Sequence, residues 1–401
     1  MAFKKLNVGV GSSGERDSFS AGREAIENAF KELGSTEADA LIVFGAPKFD
    51  QQKLLDGITS LSKDTLMIGG TTAGEISTKG LSTNSVVIMA LKSNTIKFST
   101  GLGENVSKNE KMAGAKAAKE ALKKMQLKVA KTFIMVPEGL KGDGLAIIEG
   151  VKSVLGEKFE IVGGSAGDEG DFKKTFQYYN GKVYQNAVPG LLIGGDIKTA
   201  TGVRSGWEAI GTTMTCTKAT GMLVQKFDDK PALDVYKEYL GEEISKKLPA
   251  VALEYPIGMI DEKANIDGKE YFQLRAPMSV DEKLGTISLA ARIPQGTRVT
   301  ITGATKDAVI NASKLAAVQA KETLGNSKPS AIFMFSCVAR KIVLGKRTQE
   351  EIDEVQKVFG KNVPMIGFYT YGEIGPIDKR TANLKPTKYH NQTVVLMIIG
   401  E

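Results

Sequence analysis

The sequence is poor in the residues from which most catalytic and metal centres are built. It has one histidine, His390, and two cysteines, Cys216 and Cys337. Two distant cysteines make neither a disulfide framework nor a zinc spacing, and they fit a reducing interior. One histidine with no clustered acids leaves little for a transition-metal site, so neither metal nor cofactor is expected. Long apolar runs are missing too. The longest, "VVLMII" at 394–399, is far short of a membrane span. The opening "MAFKKLNVGVGSSGERD" has lysines and then only a short apolar stretch, which does not fit a secretory signal. A cytoplasmic protein with no membrane partner is the expectation. The net charge is +7, yet no arginine cluster and no basic-aromatic interleaving occurs. The densest basic stretch, 108–128, reads as an amphipathic helix with Met112, Ala115, Leu122 and Met125 near one face and Lys116, Lys119 and Lys123 on another. A solvated helix face accounts for it, and nucleic acid is not expected as a partner.

What the sequence does have is a phrase used three times. "IGGTTAGEI" at 68–76 returns as "VGGSAGDEG" at 162–170 and as "IGFYTYGEIGP" at 366–376. Each follows an apolar run ("ALIVFGAP", "TFIMVPEG", "AIFMFSCV") and precedes another ("VVIMAL", "GLLIGG", "VVLMII"). Helix-like stretches at 20–33, 111–125 and 306–324 stand before the opening runs, each preceded by a strand ending in glycine: "LNVGVG", "IKFSTGLG" and "RVTITGA". The reading is therefore α/β: three β-α-β-α-β-β-like repeats, about 6–95, 96–200 and 296–401, forming mixed sheets covered by helices. The stretch 86–102 reads as a hairpin around "KSN". Residues about 201–295 break the repeat and read as an inserted small α+β module of the kind used for sensing. It holds two strands around "KATG", a short helix at "PALDVYKEYLG" and a meander with a turn at Asp267–Gly268.

These segments carry a family resemblance. "SAGREAIENAF", "ADALIVFGAP", "LLDGI" and "IGGTTAGEI" resemble the amino-terminal half of the FIST family, and "GGSAGDEGDFKKTFQYYNGKVYQNAVPGLLI" its later part. "GWEAIGTTMTCTKATGMLVQKFDDKPALDVYKEYLG", "FSCVARK" and "VPMIGFYTYGEIGP" resemble the carboxy-terminal half. Residues 1–200 are thus similar to the first FIST region and 201–401 to the second. The resemblance implies a prokaryotic sensory protein for signal transduction, binding small molecules such as amino acids, with no established reaction. No fused output domain is expected, so a separate signalling output protein is a possible partner.

The repeated turns suggest where a ligand binds. Each sits at the carboxyl end of an apolar strand, where open α/β sheets place ligands. Paired glycines let the backbone approach an anion, Thr71, Thr72 and Ser165 add hydroxyls, and Glu75, Asp168 and Glu373 add acceptors for an ammonium group. Equally, the glycines shape tight turns and the acids cap backbone amides. The third copy is richer, with Cys337, Arg340, Tyr369, Tyr371 and Glu373 at two strand ends expected to be neighbours. Arg340 either grips a ligand carboxylate or locks the loops through Glu373. Arg275, in "YFQLRAP", is a second candidate for an anion contact. "GLKGDGLAIIEG" at 139–150 lacks a phosphate-loop register and reads as a turn into a helix near Asp143. The leading expectation is a sensor, not an enzyme, for a small carboxylate or amino acid, with catalytic residues assigned to none. The alternatives are an enzyme acting on a small amide, carbonyl or cyclic compound through turn carboxylates or Cys337 (with His390 as a conceivable base), and an interaction scaffold without ligand.

Overall fold

The apolar runs form strands that are buried on both faces, such as Ala40–Gly45 and Val394–Gly400. A strand of this kind needs a cover on each side. On the outside the cover is helical, as where Ser18–Leu33 and Gln51–Ser62 pack on Leu41, Val43 and Ile88. On the inside the cover is the other two sheets. Phe44, Ile134, Val136, Phe335 and Phe368 share one central cluster, and the Phe44 ring centroid lies 4.4 Å from that of Phe368. The computed structural model describes residues 5–266, 269–377 and 387–401; the expected Asp267–Gly268 turn lies outside the described residues. No helix among the described residues is long and apolar enough to cross a membrane.

Three six-stranded sheets surround this core, each built the same way. In the first, strand Asn7–Ser13 pairs with Val86–Lys92, which pairs with Ala40–Gly45, which pairs in parallel with Leu66–Thr71. The sheet is completed by a hairpin from the second unit, Gln177–Tyr179 with Lys182–Tyr184. The second unit's sheet takes its hairpin, Glu373–Pro376 with Thr387–His390, from the third. The third takes Glu75–Ser77 with Gly80–Ser82 from the first. The exchange is cyclic, and the sheets are mixed as the sequence implies.

Two boundaries differ from the sequence reading. The third sheet opens with Lys198–Arg204, paired antiparallel to Val394–Gly400, while "RVTITG" at 298–303 belongs to the separate nine-stranded sheet of the module. The insertion therefore sits inside the third unit, between its first strand and helix Lys306–Leu324, and not before the unit. Residues 86–102 are not a hairpin either. Val86–Lys92 lies in the first sheet and Lys97–Glu104 in the second. Both differences have one cause. Local apolar patterns look alike within and between sheets, and only long-range pairing assigns them.

Glycines explain how closely the layers approach. Gly69, Gly163 and Gly367 are not turn residues but strand residues, opposite Val43, Met135 and Met334. A Cβ at any of them would stand 1.8–2.0 Å from the carbonyl oxygen of that partner. Gly101, Gly103 and Gly202 press likewise on the backbones of Ala117, Ala113 and Ala316. Helix Glu110–Leu122 accordingly buries Ala113, Gly114, Ala117, Ala118 and Ala121. Met112, expected on the apolar face, is 66% exposed, because only alanine and glycine admit a strand so close.

The module leaves from Arg204. Strand Lys198–Arg204 runs parallel to Pro329–Cys337, since both are antiparallel to Val394–Gly400. The module thus hangs at the end where Cys337 and the repeated turns lie. Gly69→Ala and Gly367→Ala are expected to lower stability by about 1–3 kcal/mol, the usual cost of overpacking. Gly14→Ala, with nothing within 4 Å of its Cβ, should leave the urea midpoint unchanged.

Candidate functional site

Strand register shows which turn residues correspond. Glu75 stands opposite Phe368, Gln177 opposite Gly70 and Glu373 opposite Gly164. The counterpart of the two glutamates in the second unit is therefore Gln177, not Asp168. Each accepts from the backbone N–H that leads into its own unit's last strand. Ser85 N donates to Glu75 at 3.1 Å, Ala187 N to Gln177 at 3.2 Å and Thr393 N to Glu373 at 3.0 Å. Thr72 and Ser85 hydroxyls also donate to Glu75, so these residues form an internal cluster.

Asp168 has a different task. Its carboxylate accepts from Phe172 N, Lys173 N and Lys174 N at 2.6–2.8 Å, and Tyr371 donates its hydroxyl to Oδ1. Tyr371 also stacks on Phe172, with centroids 4.5 Å apart and planes 20° apart. A loop of the second unit thereby clamps a tyrosine of the third. Ser165 lies 3.3 Å, Oγ to OH, from Tyr389.

Beside this clamp is a cavity of about 190 Å³. Its floor includes Glu138, Cys337, Val338, Tyr371, Tyr389 and Asn391, at strand ends of the second and third units. Its other wall is the module, through Met222, Leu253, Ala276, Met278 and Leu289. Gln273 Nε2 and Arg275 NH1 from the module donate to the Tyr389 carbonyl at 2.9 and 3.4 Å, which seats the module here. Glu138 accepts from Leu140 N, Thr175 Oγ1 and Asn186 N. Asn391 is 1% exposed, and its Oδ1 meets no hydrogen-bond donor.

Of the expected residues, Cys337 lines the cavity, with Glu373 acting on its thiol from behind. Ser165 and Asp168 hold its tyrosines. Arg340 is elsewhere. It is fully buried, pairs with Glu351 at 2.7 Å and donates to the Ser205 and Val309 carbonyls and to Ser313. Its partner is thus Glu351 and not Glu373, and it lies away from the cavity wall. Tyr369 donates to the same Glu351 at 2.6 Å. Arg275 donates to the carbonyls of Arg292, Leu274 and Tyr389. Thr72 and Glu75 stay with their own turn.

Burial sets the protonation of the site. It raises the Cys337 thiol well above its ordinary value, helped by the Glu373 charge, so the sulfur is a neutral thiol and a poor nucleophile. Glu373 is raised to about 8, chiefly by burial, against the hydrogen bonds from Thr393. Glu75 is raised to about 7 for the same reason. His390 is pushed down to about 4 by burial, and its Nε2 donates to the Gly375 carbonyl at 2.9 Å. Glu373 and the N–H groups of Ala339 and Gln392 act on the Cys337 thiol.

Asn391, Tyr389, Glu138 and the module residues were missed from sequence. Glu138 and Asn391 carried a signal that register supplies. Ala46, Glu138 and Cys337 are equivalent, as their N–H groups donate to Ser85, Ala187 and Thr393 carbonyls. Asn84, Asn186 and Gln392 share a positive φ of 53–58° before those residues, which places Asn391 one step ahead in "HNQT".

Arg340→Ala leaves Glu351 buried without its counter-charge, so a loss of about 3–5 kcal/mol in chemical denaturation is expected. Glu373 binds its proton more tightly folded than unfolded. Its stabilisation is complete below about pH 4.5 and is lost as pH rises through about 8. Glu373→Gln keeps the Thr393 bond, as Gln177 does in the second unit. It should flatten the fall in thermal midpoint across that window and exceed the wild type at pH 8.

Known proteins bear on the same regions. A model described as the FIST N domain matches residues 39–230 and one described as the FIST C domain matches 232–376. An uncharacterized protein of Methanocaldococcus jannaschii is 36% identical over 94 residues, 23% of this chain and 18% of that one. An uncharacterized protein of Mycobacterium bovis is 24% identical over 186 residues, 45% of this chain and 46% of its own length. The match spans less than half the length of either relative. Among solved structures, a cyanuric acid hydrolase from A. caulinodans aligns over 98% of this chain and 99% of its own, with 9% identity and a TM-score of 0.37. A second cyanuric acid hydrolase aligns over 98% and 100%, with 6% identity and a TM-score of 0.34. Likeness at that level carries no argument about activity. With its two domain models running from residue 39 to residue 376, the chain belongs to the FIST family.

Proposed function

We propose that this protein is a small-molecule sensor whose ligand occupies the cavity between the three-unit body and the inserted module. One observation carries the reading: both parts contribute to the cavity wall, and the buried Asn391 amide in that wall has an oxygen with no donor. Buried polar groups are nearly always satisfied, so such a group marks a place for a ligand or ordered water. A ligand touching both parts favours the seated module over a loosened one, and that difference is what a separate signalling output protein would read. An amino acid or small carboxylate is the ligand expected from the family resemblance and the glycine-acid turns, with Arg340 as the candidate grip for its carboxylate. With Arg340 committed to Glu351, that ligand would have to be held by the backbone and Asn391 instead.

Sensing is favoured over catalysis by the state of the site. Burial and the neighbouring Glu373 carboxyl both hold Cys337 as a neutral thiol, which is a weak nucleophile. The test is a thermal-shift screen of amino acids, organic acids, amines and amides against wild type and Met278→Trp, which fills the cavity from its half-open side (Met278 is 40% exposed). At least one compound should raise the wild-type midpoint by several degrees and leave the variant unmoved. An equal shift in both proteins, or none in either, overturns the site.

A further inference from the structure

We propose that the cavity selects a small uncharged ligand with an amide edge, an N–H beside a C=O, and that the Asn391 side chain pairs with that edge. The inference rests on the cavity being the ligand site and adds the chemical class. A side-chain amide has donors and an acceptor in one plane. Asn391 lines the cavity, is 1% exposed, and has no donor for Oδ1. The group that complements an amide on both counts is another amide, met through two parallel hydrogen bonds.

The charges of the wall exclude the other classes. No lysine or arginine is among the described residues lining the cavity. A carboxylate ligand would enter a buried space with no counter-charge among the described residues lining it and with Glu138 beside it, an arrangement that costs far more than burying a neutral group. An ammonium ligand would find Glu138, but both its oxygens already accept bonds from Leu140, Thr175 and Asn186. Cys337, Tyr371 and Tyr389 are all held in their neutral forms by burial.

The rest of the wall shapes the frame that carries the edge. Leu140, Phe172, Met222, Met278 and Leu289 are apolar, and Phe172 is fixed flat against Tyr371. A compact ring bearing its polar atoms on one side fits such a wall better than an extended chain, because apolar pockets with few convergent polar groups orient a ligand through those groups. Small cyclic amides and imides meet both demands.

Calorimetric titration of the full chain with succinimide, uracil, succinate and butylamine tests the class. Succinimide or uracil should bind the wild type, bind Asn391→Leu at least tenfold more weakly, and not bind Met278→Trp. Asn391→Ser serves the same purpose if the leucine variant does not fold, as judged by its near-ultraviolet dichroism. Binding of succinate or butylamine alone, abolished by Met278→Trp, overturns the ligand class and leaves the cavity as the site. Imide binding that is unchanged in the Asn391 variant overturns the role of Asn391. Binding of none of the four overturns the ligand class, and the sensor reading then stands or falls on the wider thermal-shift screen.

Discussion

The structure depends on a hairpin that leaves its own sheet while remaining tied to its own unit. Glu75, Gln177 and Glu373 each begin such a hairpin, and each accepts from the N–H group leading into its unit's last strand. The hairpin itself pairs with the third strand of a neighbouring unit. That strand edge would otherwise be open to solvent or to another chain. No unit closes without its neighbour, and the inner faces of three sheets are drawn into one core. The anchoring atom is buried, so it must be an acceptor that tolerates loss of water. A glutamine does this without charge, whereas burial raises the two glutamates, Glu75 to about 7 and Glu373 to about 8.

Interlocking brings the turns of different units against one another, and divergence among the copies then gives each junction its own character. Between the third and first units, Lys341 reaches the Ala73 carbonyl and lies over the Tyr369 ring. Between the second and third, the Asp168 loop clamps Tyr371. At the equivalent strand ends stand Ala46, Glu138 and Cys337, and the module lies over the last two. The cavity thus arises from an approximate threefold order broken at one place by an insertion.

One buried group of charges serves as support. Arg340, Glu351, Tyr369, Ser313 and Ser336 form one buried network beneath the module's attachment. Such a network satisfies every donor it buries, which is the condition for burying charge at all. It also fixes the segment after Cys337, the helix Val338–Leu344, whose first residues border the cavity. Rigidity beneath and an apolar module above frame Asn391, whose Oδ1 meets no donor, in the cavity wall.

The sequence alone determined the α/β class, the triplication, the presence of an inserted module and the family, because these follow from local periodicity and from quoted motifs. It also singled out Cys337 in the third copy, and Cys337 does line the cavity. It could not pair Arg340 with Glu351, since Glu350, Glu351, Asp353, Glu354 and Glu373 are all acids of suitable type and nothing local separates them. Nor could it find that Gln177 corresponds to Glu75, because the second turn is lengthened by the Asp168 loop and the match exists only in strand register. The role of Met278 and Leu289 as a wall over Asn391 was decided by tertiary structure. Those residues meet only because the module departs at the carboxyl end of the strands and folds back, a contact between distant segments that no local pattern encodes.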